Sequence, residues 1–162
     1  MSEIGELRKG WLRHNVATLA YRAGRVLRGA PPAFAGFRAA DGTRTPVEIL
    51  AHIGDLLEWT LRLAQGRTEW VRSTPLEWDA EVARFHAALA SLDGFLAGGA
   101  PLGYPAERLF QGPIADALTH VGQLGMLRRL AGAPVRSEVM VRAEVVVGRV
   151  GPEQAPPWKE FD

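Results

Sequence analysis

The chain contains no cysteine. That absence excludes disulfides, thiolate nucleophiles and thiolate-bound zinc, so a bound metal would have to be held by histidine or carboxylate. No stretch approaches the ~18 to 20 continuous apolar residues that span a membrane, and the opening MSEIGELRKG lacks the apolar core of a secretory signal. A cytoplasmic protein with no membrane partner is expected. Net charge is also nearly missing: 19 basic against 18 acidic side chains leave a formal +1 over 162 residues. Without a general positive field, nucleic acid is not an expected partner. The arginines of the first helical segment, Arg8, Arg13, Arg22, Arg25 and Arg28, have neither interleaved aromatics nor a known motif. They read as a solvated face.

What is present suits one domain with one core. The length buries most of the surface of the unfolded chain, and 47% hydrophobic with 23% charged residues is the balance of a globular domain rather than a disordered or fibrous one. Apolar residues recur near helical period from Glu3 to Leu27 (Ile4, Leu7, Trp11, Val16, Leu19, Val26, Leu27), and Gly29 with Pro31 and Pro32 ends that segment. Thr45-Pro46-Val47-Glu48 is a capping box with proline at the first helical position and opens a second helix. The same device at Thr74-Pro75-Leu76-Glu77 predicts a third helix running to about Leu96, before Gly98 and Gly99. A fourth has Pro113 near its first turn and Gly132 and Pro134 past its end.

Four helices of about five turns predict an all-α fold, a four-helix bundle over residues 1–134 with an irregular C-terminal extension, 135–162, packed on it. VMVRAEVVVGRV in that extension is rich in β-branched residues but has no evident partner strand, so a partly helical stretch at Ser137 to Val146 is expected instead. The proline-rich end, GPEQAPPWKEFD, should be irregular.

The fourth helix carries PIADALTHVGQL. At about 100° per residue, Asp116, His120 and Gln123 fall in one narrow arc that Leu127 and Leu130 continue. The stripe begins polar and ends apolar, which suggests a polar group inside the bundle. On the second helix, EILAHIGDLLEW places His52 on the inward stripe with Leu56, Trp59 and Leu63, while Glu48 and Asp55 flank it as candidate orienting partners. If His52 faces Asp116 and His120, two imidazoles and a carboxylate converge. That donor set describes a divalent site with an open position, chemically suited to zinc, iron, nickel or manganese. Each residue also has a plainer role: Asp116 stabilising a helix dipole, and His52 as a hydrogen-bonded core histidine. Trp59 could wall a pocket. His86 and His14 read as structural or exposed, and the remaining tryptophans as packing residues.

TPVEILAHIGDLLEW and DALTHVGQLGMLRRLAGAPV resemble the second and fourth helices of the DinB/YfiT-like superfamily of metalloenzymes. The resemblance covers roughly residues 1 to 134. It implies a metal bound by one histidine of the second helix and two histidines four residues apart on the fourth. His52 and His120 match two of these ligands, with Gly122-Gln123 following as in the family, and Asp116 stands where the family has the first histidine of the fourth helix. A carboxylate there makes the site more anionic and favours a harder metal. The resemblance further implies a thiol-dependent transferase or isomerase, a low-molecular-weight thiol as co-substrate, a small-molecule substrate and a homodimer. The alternative is a non-catalytic bundle in which the same residues form a buried polar cluster and the protein binds a small molecule or a partner.

Overall fold

A computed structural model describes residues 3–161. It is an all-α bundle with an irregular C-terminal tail: α1 (Glu3–Leu27), α2 (Pro46–Ala64), α3 (Trp78–Ala97), a single turn α4 (Ala106–Leu109) and α5 (Ala115–Leu130). Among the described residues no helix is long and apolar enough to cross a membrane.

The capping box of α2 forms as expected. The Thr45 side chain accepts from the Glu48 N–H, and the Glu48 carboxylate accepts from the Thr45 N–H at 2.6 Å. The second box does not form. α3 begins only at Trp78, after Glu77 and without a side-chain cap, because residues 65–77 stay extended along the bundle. Ser73 is tied to Asp55, and the Glu81 carboxylate accepts instead from the Leu76 N–H. The expected fourth helix is divided. α4 leads through a wide π-helical turn, Phe110–Ile114, in which Gly112 departs from helical torsions (φ −89°, ψ −105°) beside Pro113, and α5 follows.

Contacts set the helix directions. Arg13 on Asp93 and Lys9 on the carbonyls of Gly98 and Ala100 pair the start of α1 with the end of α3, so these run antiparallel. Trp11 against Phe110 and the Arg128 guanidinium on the Val26 carbonyl make α1 and α5 parallel. His52 meets His120, whereas Leu56 and Trp59 meet Gly112 and Pro113, so α2 opposes α5. α1 and α2 therefore occupy one diagonal and α3 and α5 the other.

α2 and α3 then run the same way, and the chain must travel the length of the bundle to join them. Residues 65–77 make that crossing over α2. The Trp59 Nε1–H donates to the Thr68 carbonyl, Trp70 stands edge-on to both Trp59 and His52, and Ser73 binds Asp55. At the far end Gly66 and Gly103 meet backbone to backbone. A Cβ on Gly103 would lie 2.3 Å from the Gly66 nitrogen, so no other residue fits without moving the chain.

The core runs from Leu12, Val16 and Leu19 through Leu50, Ile53 and Leu57 to Phe85, Leu89, Ile114 and Leu124. Three apolar positions of α1, Ile4, Leu7 and Trp11, lie outside it at 62%, 68% and 45% exposure, and Leu130 of the α5 stripe is exposed as well. Lys9 and Leu12, at the same level of α1, are buried, so the three α1 positions lie on the outer side of a packed helix, and periodicity alone does not show which side a neighbouring helix covers.

The tail packs on the bundle but is scarcely helical: one 3-10 turn, Met140–Arg142, replaces the helix expected over Ser137 to Val146. The β-branched run 139–150 forms no strand, as expected, but the two residues before it do. Ser137–Glu138 pairs antiparallel with Glu160–Phe161, a partner supplied by the end of the chain itself. Glu138 is buried and acts as the latch. It accepts from the Tyr21 hydroxyl at 2.8 Å, from Arg25 at 2.5 Å and from the Trp158 N–H at 2.9 Å. Val150 joins the core, and its carbonyl lies 3.2 Å from His86 Nδ1, a structural role for that histidine.

Candidate metal centre

α2 and α5 cross so that His52, Asp116 and His120 converge. One ligand atom from each lies within 4.8 Å of the others. His52 Nε2 is 3.7 Å from one Asp116 oxygen, His120 Nε2 is 3.5 Å from the other, and the two imidazole rings meet edge-on with centroids 4.7 Å apart. These separations are too long for hydrogen bonds. They are close to the ~3.4 Å that two ligands keep when each lies about 2.0 to 2.1 Å from a tetrahedral ion.

The donor set fits a divalent metal on a second count. His120 Nδ1 lies 2.8 Å from Gln123 Oε1. An amide oxygen only accepts, so Nδ1 carries the proton and the Nε2 lone pair faces Asp116. Burial, together with the nearness of His120 and Arg44, holds the His52 imidazole below its ordinary pKa, while Asp116 and Asp55 pull the other way. The neutral form, the one that binds metal, is favoured. Asp116 stands in the first turn of α5 with its side chain about half exposed, which leaves the ion position open on that side.

The flanking residues meet expectation in part: both Glu48 and Asp55 line a small cavity beside His52. Neither Glu48 nor Asp55 bonds to His52. Glu48 is engaged in the capping box and faces Arg38 at 3.6 Å. Asp55 is buried and holds Ser73 and Arg84. Its role is to fasten the crossover to α2, because Arg84 of α3 also reaches Glu58 and Glu81 and so ties three segments together. Burial opposes the charge on Arg84, but the hydrogen bonds it donates to Glu58 and Asp55 outweigh that and raise its pKa above the usual arginine value.

Trp59 does wall a cavity. With Leu56, Gly112, Pro113, Asp116 and Thr119 it bounds an open space of about 450 Å³ that ends at the Asp116 carboxylate. A smaller cavity of about 110 Å³ lies on the other side of His52, between Arg44, Arg72 and Ser73. Sequence reasoning missed Trp70, which shields His52, and this pair of arginines. Trp70 and Arg72 lie on the crossover and Arg44 in the loop before the α2 cap, and no periodicity marks residues in such segments.

No family model matches the chain, and no curated protein or solved structure matches it either. The centre stands on its own residues and distances: two imidazoles and one carboxylate, held on two helices, that could receive a divalent ion.

Proposed function

We propose that His52, Asp116 and His120 bind one divalent metal ion and that the protein is a metal-dependent enzyme of the DinB/YfiT-like kind. In this reading it transfers or isomerises a small electrophile with the help of a low-molecular-weight thiol. The observation that carries the reading is the spacing of the three donors, 3.5 and 3.7 Å from Asp116 to the two imidazoles, at ligand separation rather than hydrogen-bond separation. A divalent ion held there supplies Lewis acidity and lowers the pKa of a coordinated thiol or water.

The chain's own residues do the rest. Gln123 keeps His120 in the tautomer that offers Nε2. Trp70 covers the His52 side and is itself braced by Trp59, edge to face at 5.3 Å. The cavity between Trp59 and Asp116 has the volume for a small substrate and leads to the open side of the donor set. The carboxylate at Asp116 makes the site harder than a three-imidazole site and favours zinc, iron or manganese over softer ions.

The test is metal content by mass spectrometry of protein purified without an immobilised-metal column, wild type beside His120→Ala, followed by uptake of added zinc, nickel and manganese. Near-stoichiometric metal in the wild type and its loss in the variant is the expected result. No metal in either protein, with no uptake and no thermal shift, would sink the proposal and favour a polar cluster in a non-catalytic bundle. With metal established, thiol-dependent turnover that chelation abolishes is the further expectation.

A further inference from the structure

Two of the arginines that composition leaves as a solvated face, Arg22 and Arg25 of α1, border a second cavity in the folded chain, together with Arg129 of α5 and Arg136 of the tail. It lies between α1, α5 and tail residues 135–140, with a volume of about 300 Å³. On α5 its residues, Leu118, Val121, Gly122, Gly125 and Arg129, occupy the side of the helix turned away from Asp116 and His120. The two cavities therefore share a helix but no lining residue.

Its chemistry is two-part. Val26, Leu118, Val121 and Met126 form an apolar floor, and Arg22, Arg25, Arg129 and Arg136 form the rim. The only acidic lining residue is Glu138, which is already engaged by Arg25 and Tyr21. Arg25 is paired with Glu138 and with Glu160 at 3.0 Å, so Arg22 of α1 and Arg129 of α5 are the guanidinium groups the cavity offers to a ligand. Low-dielectric walls focus such a charge towards an anion. Gly122 opens the space: a Cβ built on it meets nothing within 4 Å.

We infer that this cavity binds a small organic anion, with a carboxylate, sulfonate or phosphate head held by Arg22 and Arg129 and an alkyl or aryl body lying on the apolar floor. Guanidinium groups recognise the head through paired N–H donors. The volume is at the lower end of the ~300 to 1,000 Å³ typical of small-molecule pockets. The docked tail supplies one wall through Val135 and Met140, so the site exists only while Glu138 holds the tail in place.

The test is a fluorescence titration of the full chain with 8-anilinonaphthalene-1-sulfonate, which carries one anionic head on an aromatic body, with decanoate as competitor. One saturable site per chain, displaced by decanoate, is expected. Arg129→Glu should weaken binding at least tenfold. Gly122→Phe, whose Cβ meets nothing within 4 Å and whose ring would occupy the cavity, should abolish it while circular dichroism stays native. His120→Ala, on the opposite face, should bind as the wild type does, so the result is separate from the fate of the metal proposal. Non-saturating enhancement, or affinity unchanged by both substitutions, would overturn the inference. Should Gly122→Phe fail to fold, Arg22→Glu combined with Arg129→Glu on the exposed rim takes its place: lost binding supports the site, and unchanged binding refutes it. Sedimentation with phosphatidylglycerol vesicles separates the sources of the anion. Co-sedimentation that Arg129→Glu removes would assign the head group to a lipid surface and refute a free small-molecule ligand.

Discussion

Replacing Arg84 with methionine removes the cation that fastens α2, α3 and the crossover together. Asp55 and Glu81, with side chains 3% and 1% exposed, would keep their charge in a dry site and lose their counter-ion. Breaking a buried pair by removing one partner costs about 3 to 5 kcal/mol. Two carboxylates are orphaned here, but the cost does not double, because Asp55 keeps the Ser73 donors and Glu81 keeps the Leu76 N–H. Glu58, at 35% exposure, adds little once solvent screening is counted. The expected loss is therefore about 3 to 5 kcal/mol, a large share of the ~5 to 15 kcal/mol that stabilises a typical domain. Urea unfolding at pH 7 reads it as a midpoint lowered by about 2 M, for a slope of roughly 1 to 3 kcal/mol per molar. Arg84→Lys keeps the charge without the planar fork and should fall between the wild type and the methionine variant. A loss below ~1 kcal/mol, the range of exposed ion pairs, would refute the assignment of Arg84 as the fastener. The crossover also carries Trp70 onto His52, so the methionine variant should retain metal less well even where it remains folded.

Thr45→Ala removes the α2 cap and should cost about 1 kcal/mol. Glu48 is held below the usual carboxylate pKa by the Thr45 backbone N–H first and its hydroxyl second. A depressed folded pKa gives stability that is present above the unfolded value and lost as pH falls through the folded one. Thr45→Ala keeps the backbone N–H, so it is Glu48→Ala that removes this contribution, and wild type and Glu48→Ala should approach each other below about pH 4 in acid-unfolding curves; a gap independent of pH would contradict the capping box. Glu138→Ala unlatches the tail, with an expected loss of about 3 to 5 kcal/mol for the buried pair and faster proteolysis after Pro134; a tail cut no faster than in the wild type would refute the latch. Burial first and Glu138 second hold the Tyr21 phenol above its ordinary pKa. That contribution is complete below the unfolded value of about 10 and is lost as pH rises through the folded one, a decline that should be shallower in Glu138→Ala. Asp116→His supplies a third imidazole and should slow zinc and nickel removal in a chelator competition; an unchanged rate would argue against Asp116 as a ligand.

The candidate site was legible where it depended on helical spacing. His52 and the Asp116, His120, Gln123 arc could each be assigned to one side of a helix because helix period fixes which residues share a side, and the Thr45 box marked where α2 begins. The arc nevertheless lies at the open edge of the α2–α5 seam, with Asp116 and Gln123 exposed, rather than inside the bundle. Thr74-Pro75-Leu76-Glu77 has the same pattern and failed, because a capping box needs a free chain and this one is drawn out along α2 by Ser73 and Asp55. Asp55 looked like a partner for His52 because it lies three residues away on one helix. A cation from another helix, Arg84, claimed it instead. The β-branched run of the tail, 139–150, forms no strand; the short pair that does form joins Ser137–Glu138, just before it, to Glu160–Phe161, more than twenty residues onward, a long-range contact that local pattern does not reveal.

By itself the sequence determined the helices, the cap of α2, the absence of any thiol chemistry from the chain's own residues and the residues that could hold a metal. All of these depend on composition or on neighbours within one or two turns. Only the tertiary structure decided that α2 and α3 run in the same direction, that the crossover brings Trp70 onto His52, and that Arg22, Arg25, Arg129 and Arg136 surround one cavity. Those outcomes depend on pairing residues far apart in the chain, through buried charges and backbone contacts whose energies exist only once the helices have met.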